Sequence, residues 1–144
     1  MLRYMLDTNI CIFVIKKRPS YLRNIFNAEA QYLCISSVTL AELMFGAEKS
    51  ANLTGNLKIV ENFAARLPVL PFDEKAAAHY GQIRASLEKI GTPIGPYDLM
   101  IAGHARCEGL VLVTNNRKEF GRVDGLRVED WSSERMESDA SSHI

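Results

Sequence analysis

Four short apolar stretches, residues 2–6, 32–35, 69–72 and 110–113, alternate along this chain with longer segments whose apolar residues recur at helical spacing. Stretches of four or five residues suit strands, and Leu110-Val111-Leu112-Val113 is apolar throughout, as a strand covered on both faces must be. Parallel strands need crossovers of a dozen residues or more, usually helices. The pattern therefore predicts an α/β fold with a parallel sheet and crossover helices, and a last short strand near 126–128.

The polar punctuation supports this reading. Helices are expected over 10–17, 21–29, 38–50, 54–67, 74–90 and from Pro96 to about 108. Ser37 and Asp73 are good N-caps, Pro96 suits a first helical position, and Gly91 and Gly109 suit helix ends. With 144 residues, 47% hydrophobic, the chain has material for one core. The longest apolar run, Ile10 to Ile15, is far below the roughly 20 residues a membrane helix needs. Asp7 interrupts the N-terminal apolar stretch, so no signal peptide is expected. Cys11, Cys34 and Cys107 are odd in number and widely spaced, which predicts reduced, buried thiols in a cytoplasmic protein.

Formal net charge is zero, which excludes a polybasic protein holding nucleic acid by bulk electrostatics. Residues 132–144 hold five serines, three acids and one arginine, and read as a polar, flexible tail beyond a domain spanning 1–131. Without the tail the body carries 16 basic and 14 acidic residues. A mildly basic body around a concentrated acidic pocket suits a polyanionic ligand.

That pocket is predicted by where four acids fall. Asp7 lies just past the first strand, and Glu42 lies in the opening turns of the helix after the second. Asp98 lies in the first turn of the helix begun by Pro96, and Glu119 lies just beyond the 110–113 strand. In a parallel α/β sheet the strand carboxyl ends and the helix starts after them share one edge, where ligands bind. Two carboxylates about 5 Å apart repel by roughly 3 kcal/mol at an effective dielectric near 20, so convergence calls for a cation. Oxygen-only ligands select Mg²⁺, with Mn²⁺ as substitute. Simpler roles exist for three of these acids: Asp7 as a helix cap, Glu42 as a capping-box partner of Thr39, Asp98 as an acid at a positive helix end. Against them, Glu42 is flanked by Leu40, Ala41, Leu43 and Met44, Asp98 precedes Leu99-Met100-Ile101-Ala102, and no Arg or Lys stands beside either.

Tyr4-Met5-Leu6-Asp7-Thr8-Asn9, Ile35-Ser36-Ser37-Val38-Thr39-Leu40-Ala41-Glu42, Gly95-Pro96-Tyr97-Asp98-Leu99-Met100-Ile101-Ala102, and Val113-Thr114-Asn115-Asn116 with Phe120 resemble, in order and spacing, the motifs of PIN-domain ribonucleases, in particular VapC toxins of bacterial VapBC toxin–antitoxin pairs. The resemblance covers about residues 2 to 131. It implies a three-layer α/β/α fold with a five-stranded parallel sheet, and a homodimer. It implies a Mg²⁺- or Mn²⁺-dependent endoribonuclease restrained by a VapB-type antitoxin, with operator DNA reached only through that antitoxin and no membrane association. Its substrate would be a structured RNA such as a transfer-RNA anticodon loop, initiator transfer RNA foremost. Asp7, Glu42 and Asp98 match the family's three acids, and Asp7 and Asp98 would hold the metal. Many relatives place an Asp where this chain has Asn116, and Glu119 is the substitute. Thr8, Asn9, Ser37, Thr114 and Asn116 would orient the carboxylates. Hydrolysis by metal-activated water would leave 5′-phosphate and 3′-hydroxyl ends.

Other readings fit less well. A phosphoacceptor receiver domain wants an acidic pair after the first strand and a Lys after the last. A haloacid-dehalogenase-type phosphatase wants an Asp where Asn9 stands. A non-catalytic PIN module binding RNA or a protein tends to lose its acids, which this chain keeps. Lys16-Lys17-Arg18, Arg117-Lys118 and Arg122 are candidates for phosphate contact or a solvated face, and His79 and His104 are expected to be structural. Leu22, Ile25, Phe26, Leu57, Val60 and Phe63 form apolar helix faces open to three uses: core, dimer surface or antitoxin groove.

Overall fold

The computed structural model describes residues 1–131. Five parallel strands form one sheet in the order β3-β2-β1-β4-β5: β1 Tyr4–Leu6, β2 Leu33–Ser36, β3 Val69–Leu70, β4 Val111–Val113 and β5 Val128–Glu129. The register aligns Met5 with Cys34 and Leu112, Ile35 with Val69, and Leu112 with Val128. Helices join the strands: α1 Thr8–Lys16, α2 Ser20–Ala28, α3 Ser37–Glu48, α4 Leu53–Ala64, α5 Glu74–Lys89, α6 Pro96–Cys107 and a single-turn α7 Arg117–Phe120. The fold is the expected three-layer α/β/α arrangement.

Successive strand residues face opposite layers, as the two-residue period requires. Leu6, Leu33, Ile35 and Val113 join Ile10, Val14, Phe26 and Phe63 in one core, against α1, α2, α3 and α4. Met5, Cys34 and Leu112 join Ile83, Leu87, Leu99 and Ala102 in the other, against α5 and α6. Leu22, Phe26, Val60 and Phe63 are thereby settled as core, with Ile25 and Leu57 packed half-buried against them. Cys11 and Cys34 are buried free thiols as expected, while Cys107 is half-buried. Among the described residues, no helix is long and apolar enough to cross a membrane. The polar segment expected at 132–144 lies outside the described residues.

Several boundaries differ from the sequence expectation, each for a local reason. β1 begins at Tyr4 and not at residue 2, because pairing with β2 begins at Leu33. A 3₁₀ turn, Ala30–Tyr32, precedes β2. α3 starts one residue early: Ser36, not Ser37, is its cap, its hydroxyl accepting from the Val38 N–H at 3.1 Å. α7 was not expected, since four residues are too few for a periodic pattern. Asp73 caps α5 as expected, accepting from the Ala76 N–H.

α5 and α6 pack very closely, and the sequence permits it at one position. A Cβ on Gly103 would fall 2.8 Å from the backbone nitrogen of Tyr80 and 3.0 Å from its Cα, so only glycine admits this approach. Gly109, with φ +68°, carries the turn out of α6 in the left-handed region. We expect Gly103→Ala to destabilise the chain by about 1–3 kcal/mol through this clash. Thermal denaturation checks it; an unchanged midpoint contradicts the close packing.

Candidate active site

The strand order places the site. From β1 the chain builds outward to β2 and β3, then crosses back to add β4 and β5 on the other side of β1. The crevice at the carboxyl ends of β1 and β4 is therefore the switch point, where α/β sheets bind ligands. Asp7 is the first residue after β1 and Thr114 the first after β4, and the Asp7 N–H donates to the Val113 carbonyl at 3.0 Å across the gap.

Asp7 is both a helix cap and a member of the site. It is 3% exposed, and its Oδ1 accepts from the Ile10 N–H at 2.9 Å at the start of α1. The Thr114 side chain is its second hydrogen-bond partner. These contacts stabilise the carboxylate, yet burial outweighs them and pushes its pKa up to about 6, with Asp98 and Glu42 pushing the same way. Asp98, half-buried in the first turn of α6, is also raised to about 6, by burial first and then by Glu119 and Glu42. The helix N-terminus favours its charge, but does not overcome burial among acids.

Glu42 is held by the Thr8 hydroxyl, which donates to its Oε1 at 2.6 Å and lies 3.4 Å from the Thr39 hydroxyl. Thr39 is the third residue of α3 and not its cap, so it forms no capping box with Glu42. Glu119 does form a reciprocal cap: its N–H donates to Asn116 Oδ1 at 3.4 Å, and Asn116 Nδ2 donates to its Oε2 at 2.8 Å. An Asp at 116 would have no N–H for that second bond. Asn116 in turn donates its backbone N–H to Thr114 Oγ1 at 3.0 Å.

The four acids thus form one electrostatic unit, and among the described residues none is in an ion pair. As they stand, no three carboxylate, imidazole or thiol groups among the described residues are arranged to hold a metal ion between them. A closed four-ligand cage, as structural zinc uses, is therefore not what the described residues of this crevice offer. One buried and one half-buried carboxylate with oxygen donors around them suit a hard divalent cation, which takes oxygen ligands. Cys11, beside Asp7, is a poor ligand: burial first, and then Asp7, push its thiol well above the ordinary range.

Two expected orienting residues do not join this network. Asn9 is exposed, with no hydrogen bond to a site carboxylate among the described residues. The Ser37 hydroxyl accepts from the Phe72 N–H at 3.0 Å, tying α3 to the segment after β3. Conversely, Ser36 and Thr39 are not among the expected orienting residues. Both are fully buried, and the adjacent pair Ser36-Ser37 gave no means of telling cap from tether. His104 is structural as expected, fully buried with Nδ1 2.8 Å from Ser36 Oγ and its ring edge-on to Phe72. His79 Nδ1 accepts from Arg106 Nε at 2.9 Å. Lys16, Lys17 and Arg18 lie at the opposite end of α1 from Asp7, about 13 Å along its axis, whereas Arg117, Lys118 and Arg122 are exposed around Glu119.

The PIN domain family profile matches residues 4–126. The chain is 58% identical over 131 residues to the tRNA(fMet)-specific endonuclease VapC of Salmonella typhimurium, covering 91% of this chain and 99% of that protein. It is 53% identical to ribonuclease VapC2 of Haemophilus influenzae, covering 91% and 99%. Its structure superposes on DNA-bound VapBC from Salmonella typhimurium with a TM-score of 0.88, at 58% identity and 91% and 99% coverage. The chain belongs to the PIN-domain family, in its VapC ribonuclease branch.

The raised carboxyls set a pH dependence. Asp7 and Asp98 hold protons up to about 6 in the folded chain but only to about 4 when unfolded. Between those values the folded state binds more protons, so stability falls as pH rises and stays lowered above about 6. In chelator, we expect the denaturation midpoint to drop from pH 5 to pH 7. Asp7→Asn, which keeps a good N-cap, should weaken that drop. A midpoint that rises over this interval contradicts the coupling.

Proposed function

We propose that this chain is the toxin of a toxin–antitoxin pair, a Mg²⁺-dependent endoribonuclease acting in the cytoplasm on structured RNA, with Mn²⁺ able to replace Mg²⁺. The observation that carries this reading is the pair Asp7 and Asp98: two carboxyls raised to about 6 at the sheet's switch point, with no basic side chain among the described residues in an ion pair with either. Such an arrangement is unfavourable until a divalent cation arrives, and Asp7 and Asp98 are the residues that hold it. When bound, the cation neutralises charge on the phosphate and makes water acidic enough to supply hydroxide near neutral pH.

The chain's own groups do the rest. Thr114 and the Ile10 N–H fix the Asp7 carboxylate, so one side of the crevice needs no reorganisation. Thr8 fixes Glu42 and Asn116 fixes Glu119, leaving these two carboxylates to order the attacking water and accept its proton. The 2′-hydroxyl is not the nucleophile, so products carry 5′-phosphate and 3′-hydroxyl ends. The named specificity of the Salmonella relative makes initiator transfer RNA the foremost substrate. The DNA-bound VapBC assembly it superposes on supports an antitoxin partner; a homodimer, and DNA engaged only through that partner, complete the proposal. A cleft of about 340 Å³ between α1, α2 and α4, lined by Val14, Ile15, Ile59 and Phe63 with Lys17, Arg23 and Arg66, suits an apolar antitoxin segment flanked by acids. Residues 1–131 would be the catalytic domain, and 132–144 an appended polar tail.

Replacing an orienting group around a metal usually costs 10- to 100-fold, so loss of a ligand should exceed that. We expect Asp98→Asn to keep the fold, judged by circular dichroism, and to cut RNA at least about 100-fold more slowly. Undiminished cleavage by a folded Asp98→Asn chain overturns the scheme. Sequencing of RNA 5′ ends after a brief pulse of expression identifies the site cut.

A further inference from the structure

Of the chain's twelve aromatic side chains, ten are buried or half-buried; Phe45 and Tyr97 are exposed, at 64% and 57%. Both stand next to site acids. Phe45 follows Glu42 by three residues on α3, so the two side chains share a helix face. Tyr97 directly precedes Asp98 in the first turn of α6. Consecutive helical residues are about 100° apart around the axis, so the Tyr97 and Asp98 side chains leave the first turn of α6 in neighbouring directions. Lys49 Nζ lies 5.1 Å from the centroid of the Phe45 ring, adding a cation to one face of that platform.

An exposed Phe leaves apolar area in water at a cost that a partner surface would relieve. The acids beside these rings act on the phosphodiester of a nucleic acid, and the groups such a strand carries next to that phosphate are bases. Every base has a π-face, and single-stranded RNA is held by stacking its unpaired bases on aromatic rings. We propose that Phe45 and Tyr97 are the stacking platforms for the unpaired bases flanking the bond to be cut, one on each helix that carries a site acid, with Lys49 meeting a neighbouring phosphate. This rests on the nuclease reading above and adds to it the residues that seat the strand.

The experiment separates seating from cutting. A transfer-RNA anticodon stem-loop with 2-aminopurine in its loop is titrated against the full chain carrying Asp98→Asn, alone and combined with Phe45→Ala or Tyr97→Ala, and cleavage kinetics are measured in the parent background. Each alanine should raise Kd and KM about 5- to 150-fold, and reduce the quenching that stacking causes, while kcat stays within about threefold. Tyr97→Phe and Phe45→Trp, which keep a ring, should restore affinity. Cleavage with unchanged KM in both alanine variants overturns this proposal and leaves the nuclease reading intact. Ring-dependent binding without cleavage by the parent does the reverse. A change in sedimentation from dimer to monomer with unaltered stem-loop affinity assigns the rings to a contact between copies and also overturns it.

Discussion

Like charge gathered in a place that water barely reaches is the constraint on which this molecule is organised. Asp7 is almost fully buried and Asp98 half so; burial raises the affinity of both for protons, and neighbouring acids add to it, Asp98 and Glu42 for Asp7, Glu119 and Glu42 for Asp98. Stability alone would select a lysine nearby or an amide in place of one acid. Among the described residues the fold instead pairs none of these acids with a base, and it secures Asp7, Glu42 and Glu119 by hydrogen bonds that fix their positions without neutralising them. That combination favours a divalent cation.

The frame for this is simple. The central strand β1 is covered on both faces, so the residue that ends it emerges among buried neighbours whatever its identity. An aspartate there can be tolerated because it caps α1, and a carboxylate has lone pairs to spare after one cap bond. β4 brings Thr114 alongside, and the parallel crossovers deliver α3 and α6 with their acids to the same edge. The Asn116–Glu119 cap shows the same economy: one short turn both starts α7 and holds the fourth carboxylate.

Most of this was legible in the residues. The short apolar stretches gave the strands because burial on both faces leaves no room for polar alternation, and Asp73, Pro96 and Gly109 marked helix ends by chemistry that few residues supply. The four acids could be placed on one edge since connectivity alone does so. What was hidden depends on side-chain direction. Nothing in Ser36-Ser37 distinguishes a cap from a tether to Phe72, and Asn9 reads like an orienting residue until its position on the exposed side of α1 is known. Asp7 offered two roles that looked exclusive and are compatible. Whether Glu119 reaches the site turned on a one-turn helix too short to leave a periodic trace, and the approach of α5 to α6 at Gly103 arises from backbones far apart in the chain.

The central claim is that Asp7 and Asp98 are poised by burial and by repulsion from neighbouring acids, and that a divalent cation relieves both. NMR titration of the side-chain carboxyl carbons tests it most directly. In the cation-free protein the account predicts that the two carboxyls titrate near 6, and that Mg²⁺ brings them below their ordinary value of about 4. Two carboxyls that titrate at that ordinary value without the cation, or that do not respond to it, would contradict the account.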